Sequence, residues 1–189
     1  MLKFNSTNNI TYLYFESSDN LMKSLELLYR AYDQNVEADK LKAQIDYNRQ
    51  SKYSEQDKLS STRSIIDTSS KEINAQIVDT SKVLSDTGRA YYQKSLPYAF
   101  KAAESSYKLI VTIKDTFEKG SQGGESFLNY ANEFIGFFTI AKDIPKLASD
   151  IFKTSQLVFS GAKSKKIKDN NNLGKALDDL NLELSRIGY

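Results

Sequence analysis

The chain has 189 residues and contains no His, no Cys and no Trp. His and Cys supply the commonest metal ligands, the usual near-neutral general base and the usual nucleophilic thiol. The absence of Cys also excludes a disulfide framework. We therefore predict a protein that is not an enzyme, binds no metal and uses no cofactor, with Lys, Tyr and Ser chemistry still open at this stage.

Glycine and proline are scarce, with 8 and 2 residues, so the secondary-structure elements must be long. Hydrophobic residues make up 40% of the chain and charged residues 26%, which is typical of a folded domain. The net charge of +2 is too small to indicate a nucleic-acid partner. No apolar run reaches the length of about 18 residues of a spanning helix, and the N-terminus lacks the apolar core of a secretory signal. We expect a cytoplasmic protein, or one exported without a cleaved signal peptide.

Apolar residues recur at helical spacing through most of the chain and predict an all-α protein. We expect an elongated, coiled-coil-like antiparallel helical hairpin at 19–96 on a compact base of shorter helices at 97–189, together forming one domain. Residues 1–18 are predicted to be extended, because Ile10, Tyr12 and Tyr14 alternate with other residues of high strand propensity. Ser18 and Asp19 would then cap the first arm, at 19–50.

The second arm of the hairpin is predicted at 55–96, with Ser54 as its N-cap and Pro97 at its end. Leu59, Ile66 and Ile73 lie seven residues apart, as in a coiled coil. Small polar residues such as Thr62 fill many of the other seam positions and bury little apolar area, which indicates a weak seam. The pair is either a thin arm stabilised by its base or an arm that requires a partner.

The segments 125–143 and 145–161 are the most apolar in the chain and follow a glycine-rich break at 119–124. Charged and amide residues among the apolar ones favour two core helices. The alternative is a membrane-seeking hairpin in which an aromatic group and a following basic cluster contact an anionic lipid surface or a partner. The residues of this candidate contact are Phe134, Phe137, Phe138, Lys163, Lys165, Lys166 and Lys168.

The last helix carries a regular apolar stripe and ends at Gly188. Because so short a helix is marginal alone, we expect the stripe to be covered by the apolar face of 125–161. Asp178, Asp179 and Glu183 form the tightest carboxylate group, and the pattern predicts a solvated face for them. The stripe itself comprises Leu173, Leu177, Leu180, Leu184 and Ile187.

In outline, with long helices beside an apolar hairpin, the chain resembles α-helical pore-forming toxins and helical secretion-system components. We expect a non-enzymatic protein-protein interaction or structural and assembly protein, such as a bacterial secretion-related component, with a protein partner or self-association into an oligomer. The alternative is a membrane-active, pore-forming-toxin-like protein that uses residues 125–161. A nucleic-acid partner is not expected.

Overall fold

A computed structural model describes residues 6–50, 54–121 and 144–188, and side chains within 10–50, at 54, within 57–115 and within 144–188. In these ranges every secondary-structure element is an α-helix, which confirms the predicted all-α class. The described helices are α1 (Ser6–Ala31), α2 (Asn35–Asn48), α3 (Glu55–Val78), α4 (Asp86–Ser121), α5 (Ile144–Ser164) and α6 (Leu173–Arg186).

The longest described helix, α4, forms the centre of the bundle, and α1, α5 and α6 all pack against it. Its pairing with α1 is the most extensive and is antiparallel, since Ser105 of α4 hydrogen-bonds to Glu16 while Gly88 lies against Ala31. Long apolar side chains of α1 are buried opposite small residues of α4, which brings the two backbones close together. A long antiparallel helical pair with shorter helices packed around it agrees with the predicted architecture, but its members are α1 and α4 and not the two predicted arms.

The N-terminal segment is helical from Ser6, so the predicted extended conformation is wrong for residues 6–18. The buried residues Ile10, Leu13, Tyr14 and Ser17 follow a spacing of three and four, which places them on one face of α1. Packing of this face within the bundle outweighs the strand propensity of the aromatic and β-branched residues. Ser18 is consequently a buried mid-helix residue and not an N-cap.

The predicted first arm divides into two helices at residues 32–34, although neither Gly nor Pro marks the break. Asp33 adopts a left-handed conformation with φ of 61°, which Asp tolerates better than most residues, and the chain reverses there. The turn is closed by a hydrogen bond of 2.8 Å from the Gln34 amide to the Tyr29 carbonyl. α2 thus returns along α1, and α3 runs back again.

The predicted second arm also divides, since α3 ends at Val78 and α4 begins at Asp86. The N-cap at Ser54 is confirmed by the hydrogen bond of 3.1 Å that its hydroxyl accepts from the Asp57 amide. Pro97 does not end a helix but lies inside α4. It is exposed to solvent, while its neighbours Leu96 and Ala99 are buried, so packing on both sides retains the helix through it.

The contact between α2 and α3 is small, and part of it consists of hydrogen bonds between polar side chains. Thr62 is fully buried and donates to the Asn48 side-chain oxygen at 3.1 Å, while the Asn48 amide donates to Thr62 at 2.9 Å and to Asp19 of α1 at 3.3 Å. Gln44 adds a bond of 2.9 Å to Asn48. The seam is covered inside the molecule, because α1 and α5 also pack against α3.

α5 places its apolar face in the core, as the core interpretation of 145–161 requires. Its buried residues include Leu147, Ile151, Phe152 and Val158. The companion segment 125–143 lies outside the described residues, as do Phe134, Phe137 and Phe138.

Among the described helices α6 packs most extensively on α4, and its buried leucines also share a core cluster with apolar residues of α5, as the sequence led us to expect. The rest of the predicted cover, residues 125–143, lies outside the described residues. The Tyr107 hydroxyl of α4 donates a hydrogen bond of 2.8 Å to the Glu183 carboxylate, and the Lys114 ammonium group donates one of 2.8 Å to the Ile187 carbonyl. Gly188 follows the helix with φ of 84°, which is the left-handed C-terminal conformation predicted for it.

Candidate interaction surface

The fold gathers six cations at one end of the bundle. α5 ends at Ser164, and the chain then turns through Lys166, whose φ is 54°. The end of α3 and the start of α4 lie at the same end of the bundle and bring further cations to it. We define the basic end as Lys82, Arg89, Lys163, Lys165, Lys166 and Lys168.

Two side chains of α4 hold the lysine-rich segment in place. Arg89 donates to the Lys166 carbonyl at 2.9 Å, although the two residues lie 77 positions apart in the chain. Gln93 donates to the Lys168 carbonyl at 3.2 Å. Because these bonds use backbone oxygens, the segment is anchored while the ammonium groups of Lys166 and Lys168 stay exposed.

Lys165 has a structural position that differs from those of its neighbours. Its ammonium group lies 3.2 Å from the Lys82 carbonyl and 3.4 Å from the Asp79 carbonyl, and 5.8 Å from the ring centre of Tyr32. It therefore joins α5 to the loop at 79–85 and to the end of α1. Hydrogen bonds from Ser81 lower the pKa of the Asp79 carboxyl, and the charges of Lys82 and Lys165 add to this effect.

The remaining lysines, Lys82, Lys163, Lys166 and Lys168, are exposed and form no ion pair with any described residue. The chain segments that form this end are 32–33, 78–89 and 163–169. They contain the six cations and four carboxylates, so the basic end has an excess of two positive charges. This equals the net charge of the whole chain. The carboxylates are Asp33, Asp79, Asp86 and Asp169.

Two valines are exposed beside these cations. Val78, the last residue of α3, is 64% exposed, and Val83, in the loop that follows, is 91% exposed. Val83 is adjacent to Lys82, and Val78 is adjacent to the Asp79 carbonyl that Lys165 approaches. The basic end is thus a cationic surface with an apolar protrusion.

The lysine cluster and the predicted aromatic group are joined to opposite ends of α5. Lys163 lies in its last turn, whereas Ile144, where the described chain resumes after residue 121, is its first residue. The helical rise separates these two residues by about 30 Å. Continuity along the chain therefore does not by itself bring the lysines next to Phe134, Phe137 and Phe138, which lie outside the described residues.

A shallow groove of about 290 Å³ lies on α1. At its edge Glu16 accepts hydrogen bonds from Tyr12 at 3.2 Å and from Ser105 at 2.9 Å. Burial raises the pKa of the Asp19 carboxyl, and the hydrogen bond from Asn48 acts in the opposite direction. Both carboxylates therefore have fixed partners from the helix packing. The groove is lined by Tyr12, Phe15, Glu16, Asp19, Asn20 and Lys23.

The carboxylates of α6 face solvent, as their pattern predicts. Asp178 and Asp179 are exposed, and Glu183 accepts the hydrogen bond from Tyr107. Across the described ranges, no three acidic side chains come together closely enough to hold a metal ion.

Sequence reasoning identified the lysines after α5 but missed Lys82, Arg89, Val78 and Val83. Nothing in their local sequence distinguishes them, because they become a surface only when α4 and α5 pack side by side in antiparallel orientation.

No family model, curated protein or solved structure matches the chain. Within the part of the chain that the structure describes, each helix lacks the combination of length and apolar character needed to cross a bilayer.

Proposed function

We propose that the protein is a non-enzymatic helical interaction protein that binds an anionic surface on its partner through the basic end. One observation carries the proposal: four exposed lysines from two distant chain segments share one end of the bundle without an ion pair to any described residue. Unpaired charges gathered on one surface attract a partner of opposite sign and accelerate its association.

The anchoring of the lysine-rich segment supports a binding role. Arg89 and Gln93 fix its backbone by bonds to the Lys166 and Lys168 carbonyls, so the exposed ammonium groups start from a defined position. A preorganised surface loses less conformational entropy when it binds than a disordered tail would lose. The basic end therefore combines accessible charge with a fixed backbone.

In the membrane-active alternative, which uses residues 125–161, the described part 144–161 would have to leave the core at a high energetic cost. Ile151, Phe152 and Val158 are buried in the bundle, so withdrawal of α5 would expose to water the apolar faces of α4 and α3 that it covers. Insertion of α5 into a bilayer would first require its separation from α4 and α3. For this reason the proposal rests on the exposed basic end.

Fluorescence anisotropy with labelled polyglutamate, a generic anionic polymer, tests the proposal. The test variant combines Lys163→Glu, Lys166→Glu and Lys168→Glu. The control combines changes at three lysines exposed elsewhere, which are Lys42→Glu, Lys71→Glu and Lys101→Glu. Each triple variant lowers the net charge from +2 to −4, so they differ only in the location of the change.

The proposal predicts that the wild-type protein binds the polymer at low salt and that the basic-end variant binds about tenfold more weakly than the control variant. Equal loss of binding in both variants would show that only the overall charge matters. Absence of binding by the wild-type protein would contradict the proposal directly. Thermal melting of both variants establishes that they are folded.

A further inference from the structure

We infer that the anionic surface recognised by the basic end is a lipid bilayer, with Val78 and Val83 entering its headgroup region. This inference rests on the proposed function and names the partner of the same surface. A bilayer suits both features of the basic end, because its anionic headgroups attract the lysines and its interface accepts exposed apolar side chains such as the two valines.

The shape of the basic end favours a bilayer over a folded acidic protein. At 91% exposure, Val83 projects away from the described part of the chain, and Lys82 lies next to it. A protein partner would need a matching pocket for such a protrusion, because stable protein interfaces are closely complementary in shape. A bilayer surface deforms around a protrusion and needs no preformed pocket.

The chemistry of the exposed cations points in the same direction. Arg89, the arginine of the basic end, is already bonded to the Lys166 carbonyl, and the exposed cations of this end without ion pairs to described residues are all lysines. Lysine is a strongly hydrated point charge, whereas arginine provides the fixed fork that suits specific carboxylate recognition. Lysine is also depleted in protein-protein interfaces. A diffuse field of lysines therefore fits a surface whose anionic groups are mobile.

We expect binding to the bilayer to need both the lysines and the two valines. Lysines near an anionic leaflet attract it through a potential that decays within a Debye length, so this contribution weakens with salt. The valines add an apolar contribution that salt does not screen. Neither is large alone, so we expect reversible binding to the bilayer surface.

Co-sedimentation with vesicles tests the inference. Phosphatidylcholine vesicles with and without phosphatidylserine are incubated with the full-length protein at low and at high salt. The variants are the two lysine triples described above and the pair Val78→Ser with Val83→Ser. Leu182→Ser is the matched control, because Leu182 is 52% exposed on α6, which packs on α4 away from the valine loop.

The inference predicts sedimentation only with phosphatidylserine, reduced at high salt and about tenfold weaker for the basic-end lysine variant. The valine pair should weaken binding several-fold, and Leu182→Ser should leave it unchanged. Tryptic mapping of bound against free protein should show protection at Lys82, Lys163 and Lys166.

The other outcomes separate the lipid inference from the proposed function. Absence of sedimentation at low salt, with lysine-dependent polyglutamate binding retained, would overturn the lipid inference and indicate an acidic protein partner. Sedimentation that depends on the lysines but not on the valines would also overturn it, because Val78 and Val83 would then not enter the headgroup region and only a general attraction to negative charge would remain. Loss of both kinds of binding would remove the proposed function as well.

Discussion

The hydroxyl group of Tyr92 on α4 donates a hydrogen bond of 2.9 Å to the backbone carbonyl of Val158 on α5. Gly161 lies one turn further along α5, and its lack of a side chain makes room for this contact. A methyl group added at Gly161 would overlap the Tyr92 hydroxyl and lie 2.6 Å from a side-chain carbon of Ile77 on α3. Three helices thus meet at this glycine, directly beneath the basic end.

We therefore predict that Gly161→Ala destabilises the protein by about 1–3 kcal/mol, as overpacking of a core does, despite the higher helix propensity of alanine. Gly174→Ala is the matched control, because the added methyl would lie 3.3 Å from the Asp169 carboxylate and 3.5 Å from the Phe159 ring. That variant should be close to neutral. Chemical denaturation measures both free energies of unfolding, and equal stabilities would contradict the packing described here.

The fold class followed from the sequence because a helical apolar period is a local property, and α5 and α6 show it most clearly. The helix boundaries were harder to predict. The turn at Asp33 depends on the left-handed backbone conformation of this residue. The residue type alone does not reveal that conformation, because Asp also occurs inside helices. The helical state of Ile10, Leu13 and Tyr14 depends on the bundle that buries them.

The sequence predicted only part of the basic end, because the rest depends on contacts between distant parts of the chain. The lysines after α5 lie together in the sequence, but Lys82 and Arg89 join them only through contacts between residues about 80 positions apart, such as the Arg89–Lys166 bond. A single sequence contains no record of such pairings. The same limit explains why the sequence did not identify α4 as the most extensive described neighbour of α6, since the leucine stripe is compatible with any apolar face.

Leucines of α6 should differ in their contribution to stability. Leu177 is 2% exposed, whereas Leu180 is only partly buried. Leu177→Ala should lower the free energy of unfolding by about 2–5 kcal/mol, and Leu180→Ala should lower it by clearly less. Guanidinium denaturation of the two variants measures the difference. A larger effect at Leu180 would mean that α6 has a different rotation on α4.

The polar seam between α2 and α3 should depend on its hydrogen bonds. Thr62→Val preserves the shape of the side chain but removes both hydrogen bonds between Thr62 and Asn48, which keeps only its bonds with Gln44 and Asp19, and this should cost about 1–3 kcal/mol. Thr68→Val, on the exposed side of the same helix, is the control and should change stability by no more than about 0.5 kcal/mol. A Thr62→Val variant as stable as the control would show that the seam does not need this network.

Buried tyrosines should make the fold sensitive to alkaline pH. Burial raises the pKa of Tyr14 from the usual 10.0 to about 12, and burial also raises the pKa values of Tyr29, Tyr32 and Tyr92. Because these folded-state values lie above the unfolded value, the neutral tyrosines contribute stability that is complete below pH 10. That contribution is lost as the pH rises through the folded values.

We therefore expect alkaline unfolding to begin above pH 10 and to coincide with ionisation of the buried tyrosines. Tyrosinate absorbance and circular dichroism, followed together against pH, measure the two events. Tyr14→Phe keeps the ring in the core but removes one ionisable group, so its unfolding midpoint should move to higher pH. If all tyrosines ionised near pH 10 while the helices persisted, the hydroxyl groups would be open to solvent and the packing of Tyr14 in the core would be wrong.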